Sequence, residues 1–65
     1  MIIKEILNNG IKVLNEKHID EASFLTRMLL CNVLNIRKEE LIVKLEDEIE
    51  ESASLKFLKR NSEII

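Results

Sequence analysis

The sequence contains no proline and a single glycine, Gly10, in 65 residues. Gly and Pro are the punctuation of hairpins and tight turns, and all-β folds need such residues every few positions. A chain without them is restricted to helices joined by short connections. Leu, Ile, Glu, Lys and Asn dominate the remainder. The aliphatic and charged share suits helices, although Ile and Asn are only middling helix formers. Hydrophobic residues make up 46%, and just two, Phe24 and Phe57, are aromatic, so the core is aliphatic. A chain of this length makes one domain, spanning 1–65, and buries only about 60% of the surface it exposes when unfolded. With one cysteine, Cys31, it has no internal disulfide to add to a marginal core.

Charge narrows the class further. Ten basic and twelve acidic residues leave a net charge of −2. Nucleic-acid binders cluster basic residues on one face, so no nucleic-acid partner is expected. No apolar run approaches the ~20 residues that span a bilayer, so no membrane partner is expected either. The opening Met1-Ile2-Ile3-Lys4-Glu5 lacks the basic region and long apolar stretch of a signal peptide. The expected location is cytoplasmic, and a lone cysteine fits a reducing compartment.

Periodicity places the elements. Ile3, Ile6, Leu7, Ile11 and Leu14 recur at three- and four-residue spacing, predicting a helix over Ile2 to Lys17. Gly10 falls within that stripe, either to admit a neighbouring helix or as a tolerated weak point. Lys12 and Glu16, one turn apart, are expected to pair on the exposed side. A break follows at His18-Ile19-Asp20, with Asp20 as N-cap and Glu21 in the first turn of a second helix reaching Leu34. That helix is apolar around much of its circumference, through Ala22, Phe24, Leu25, Met28, Leu29, Leu30, Cys31, Val33 and Leu34, which predicts a central helix surrounded by neighbours. Asn35 is the expected stop, because Asn tolerates the left-handed conformation. A short helix follows from Lys38 to Val43 or Lys44, with Leu41, Ile42, Val43 and Leu45 as its apolar cluster. Mutual repulsion in Glu46-Asp47-Glu48-Ile49-Glu50-Glu51 predicts a solvated loop. A last helix runs from Glu50 or Glu51 to Arg60, with Ala53, Phe57 and Leu58 inward and Lys56, Lys59 and Arg60 complementing its C-terminal end. Asn61 to Ile65 is expected to fray. The expected fold is all-α, a compact irregular bundle of four to five short helices.

Reactive groups are sparse. His18 is the single histidine and has no second His or Cys at helical spacing to share a metal or a proton. Cys31 sits among Leu30 and Val33, whereas an activated thiolate needs a basic, exposed setting. The acidic stretch lacks the alternating Asp and Gly of a calcium loop. No serine has a nucleophile elbow around it, and no Gly-rich phosphate loop exists in the sequence. The pairs Arg37-Lys38 and Lys59-Arg60 have no aromatics between them. No catalytic, cofactor-binding or metal-ligating residue is assigned, and no cofactor is expected in these 65 residues. The partner-binding face is unassigned too. Its exposed candidates are Lys12, Glu16, Arg27, Arg37 and Lys38.

The order of the apolar blocks carries a resemblance. Lys17-His18-Ile19-Asp20, then Leu25 to Asn35 reading Leu-Thr-Arg-Met-Leu-Leu-Cys-Asn-Val-Leu-Asn, then Ile36-Arg37-Lys38-Glu39-Glu40-Leu41-Ile42, is similar to the N-terminal helical domain of the bacterial protein-(glutamine-N5) methyltransferases that modify peptide-chain release factors. Met28-Leu29-Leu30 matches that family's leucine triplet and Val33-Leu34 its next pair. Lys38 and Leu41 match its short third helix, and Lys59-Arg60 its terminal basic pair. The chain departs from the pattern at His18 and Asn35, which stand where the family has glycine, and it lacks the family's Gly-Glu-Pro segment.

The resemblance implies a module that orients a release factor for a covalently linked catalytic domain, which would bind S-adenosylmethionine and hold the substrate glutamine in an Asn-Pro-Pro-Tyr motif. Neither motif of that catalytic domain can lie in a sequence with no proline and one glycine. The chain is thus expected not to be an enzyme on its own, but a monomeric fragment whose parent is a methyltransferase. The alternative is a free-standing helical interaction or regulatory module unconnected with methyl transfer. Self-association stays open, because a marginal small core can gain from it.

Overall fold

The computed structural model describes residues 1–64. Four helices follow one another: α1 (Ile3–Glu16), α2 (Ala22–Leu34), α3 (Lys38–Val43) and α4 (Glu51–Ile64). No strand occurs among the described residues, and the all-α expectation holds. The expected central helix is also found, since α2 packs against each of the other three.

The core is the apolar stripe of α1 met by one residue or two from every other element. Ile3, Ile6, Leu7 and Leu14 are buried, and Ile11 packs against them half-buried. Leu30 from α2, Leu41 from α3, Ile49 and Phe57 complete the cluster. Gly10 resolves in favour of close approach. A Cβ built there would stand 2.7 Å from the Thr26 methyl and 2.8 Å from the Phe57 ring. Real Cβ atoms do not come so near, so only glycine lets α1, α2 and α4 meet at this point. Thr26 is fully buried at that junction. Its hydroxyl donates to the Ala22 carbonyl at 2.7 Å, which removes the cost of burying it.

Two helices end in the same way. After α1 the Ile19 N–H donates to the Leu14 carbonyl at 3.1 Å and the His18 N–H to Asn15 at 3.0 Å. After α2 the Ile36 N–H donates to Cys31 at 3.0 Å and the Asn35 N–H to Asn32 at 3.3 Å. Both are Schellman motifs, which require one residue in the left-handed region. That residue is His18 (φ 59) in the first and Asn35 (φ 57) in the second. These are the two positions at which the resemblance leads one to expect glycine.

The acidic stretch is a loop, as expected, but its backbone is tied down. The carbonyls of Asp47 and Leu45 accept from the Ile3 and Lys4 N–H groups at 2.9 and 2.8 Å. These donors have no partner within a helix's own first turn. Ile49 N–H returns a bond to the Met1 carbonyl at 3.1 Å. The loop's carboxylates therefore gather at the positive end of the α1 dipole. Glu46 pairs with Lys4 at 3.8 Å and Glu48 with the terminal amine at 3.6 Å. Such exposed pairs contribute about 0–1 kcal/mol.

Several expectations are corrected. Asp20 does not cap α2; Glu21 holds the N-cap position with a left-handed backbone (φ 58) and no side-chain cap bond, so neither residue lies in the first turn. The turn from Lys17 to Glu21 needs two left-handed residues, and that geometry leaves no place for an Asp cap. Lys12 and Glu16 form no ion pair; the third pair among the described residues is Lys44–Glu40. Ile42 and Val43 point to solvent because a six-residue helix buries only one position per turn, here Leu41. In α4 the inward position after Phe57 is Asn61, one turn on, while Leu58 is exposed. The helix runs through Ile64 instead of fraying after Arg60, and the basic residues fall before the last turn. The Asn61 Oδ1 has no partner among the described residues, and nothing in the structure accounts for an amide there. Ile65, the end of the expected tail, lies outside the described residues.

Candidate functional site

The face of α2 opposite the Gly10 junction is open. A groove of about 700 Å³ lies between α2 and α3, with Leu7 of α1, Leu41 and Leu45 among its lining. Phe24, Met28 and Cys31 come to it from α2, and Ile42 from α3. Phe24 and Met28 stand one helical turn apart and are 57% and 53% exposed, and Ile42 is 71% exposed. Arg27, Lys38 and Glu39 supply its charge. The Schellman turn at Asn35 ends α2 just before the chain enters α3.

The groove's volume is that of a small-molecule site, but its chemistry is that of a contact surface. Its one nucleophile is Cys31, half-buried. Burial, and after it the carboxylate of Glu39, push the Cys31 thiol above its ordinary range, while Lys38 pulls weakly the other way. A protonated thiol is a poor nucleophile. Around it stand only aliphatic and aromatic carbons and three exposed charges.

A second, shallower depression of about 530 Å³ lies between α2 and α4, lined by Leu29, Lys56, Lys59, Arg60, Glu63 and Ile64. Among the described residues no group of three His, Cys, Asp or Glu side chains is placed to hold a metal. No described helix is long and apolar enough to cross a membrane.

Of the exposed residues singled out in the sequence, Arg27 and Lys38 come together on the groove. Lys12, Glu16 and Arg37 do not line it, and His18 sits exposed in the α1–α2 turn. Phe24, Met28 and Ile42 escaped notice because sequence reading placed them in the core. The available signal was the surplus of apolar positions on α2, more than one packed face of a short helix can bury.

A family model described as the PrmC N-terminal domain matches residues 5–60. That span takes in all of α2 and α3 and most of α1 and α4. The chain belongs to this family, the N-terminal domains of release factor glutamine methyltransferases. No curated protein and no solved structure gives a significant match. His18 and Asn35 occupy left-handed positions, for which glycine is the unstrained choice. Each of the two therefore carries a cost in local backbone strain. The fold of the matched region supplies a packed junction and an open apolar face.

Proposed function

We propose that this PrmC N-terminal domain recognises and positions a peptide-chain release factor for an S-adenosylmethionine-dependent domain that methylates a glutamine side-chain amide. The observation that carries the reading is the family match across nearly the whole bundle. The chemistry of methyl transfer belongs to the catalytic domain, which would hold the S-adenosylmethionine and the glutamine amide. This chain's part is geometric. A domain that holds part of a large substrate makes the encounter of amide and methyl donor effectively intramolecular, which lowers the entropic share of the barrier. When the positioning module and the catalytic domain are covalently linked, even weak binding by the module is amplified by effective concentration.

The test has two arms. The isotope-labelled chain is titrated with release factor and followed by NMR, which also maps the face used. Separately, the chain replaces the native N-terminal domain of a release factor glutamine methyltransferase. Residue-specific shifts, together with kcat/KM well above that of the catalytic domain alone, are expected. Absence of both would overturn the reading.

A further inference from the structure

We draw no further inference here: the strongest candidate, the apolar groove between α2 and α3 lined by Phe24, Met28 and Ile42, carries nothing because nothing in the structure shows what covers it.

Discussion

The two sides of α2 meet opposite fates. On one side Ala22, Thr26 and Leu30, spaced one turn apart, are buried against α1 and α4. The fit there is so close that Gly10 has no room for a methyl group. On the other side Phe24 and Met28 are more than half exposed over a groove. The difference lies in what faces them. α1 and α4 are 14 residues each and pack against α2 more extensively than α3, which has six residues. Apolarity therefore marks α2 as central, and the lengths of its neighbours decide which side is core.

Breaking the packed side should have the largest effect. A domain of this size has about 3–10 kcal/mol of stability. Truncating a fully buried Phe costs about 3–5 kcal/mol. Phe57→Ala is therefore expected to remove about a third or more of that stability, read as a large drop in the urea midpoint followed by helical circular dichroism. Gly10→Ala sets two effects against each other. The helix gains about 0.8–1 kcal/mol of propensity, while overpacking costs about 1–3 kcal/mol. Thr26 is held by its bond to Ala22, and Phe57 is enclosed, so neither can yield cheaply. Net destabilisation is expected, as a lower urea midpoint; a higher midpoint would show that the junction is looser than its geometry.

The helix ends should respond in the opposite direction. A non-glycine residue in the left-handed region costs about 1–2 kcal/mol, and less for Asn. His18→Gly is expected to raise stability by about 1 kcal/mol, net of glycine's entropy in the unfolded chain, read as a higher urea midpoint. Asn35→Gly should give a smaller gain. Equal gains would mean that the Asn side chain brings no local benefit.

On the open side effects on stability should be smallest. Phe24→Ser is expected to change the stability of the single chain by under about 0.5 kcal/mol, as surface positions do. Cys31 gives a pH-dependent probe of the same face. Its thiol is held protonated in the folded state by burial first and Glu39 second. The folded pKa lies above the unfolded one, so this contribution is whole below the unfolded thiol's range. It is lost as pH rises through the folded value. The urea midpoint of the native chain should fall in the alkaline range more steeply than that of Cys31→Ala.

Much of this was legible beforehand because it is local. The stripe of α1, the stop at Asn35, the bounds of α3 and the start of α4 follow from residue spacing and backbone preference. The misread positions are those where a neighbour decides. Asp20 looked like a cap, but the turn takes left-handed residues at His18 and Glu21 and moves the helix start past it. Asn61 looked like tail, but it lies one turn beyond Phe57 on the buried side of α4. Ile42 and Val43 looked like core, but α3 is too short to bury more than Leu41. The groove was invisible for the same reason, since apolar periodicity marks residues that avoid water without saying which of them find cover.

The sequence by itself determined the helical class, through the near absence of turn-forming residues, and the family, through the order of its apolar blocks. It also placed a glycine where one helix had to come within methyl distance of two others. Only the tertiary structure decided that Gly10 serves as that junction, that the acidic loop feeds its carbonyls to the first N–H groups of α1, and that one side of α2 stays open. These depend on which helix lies across which. That is a property of lengths and crossing points, not of any residue's own preference.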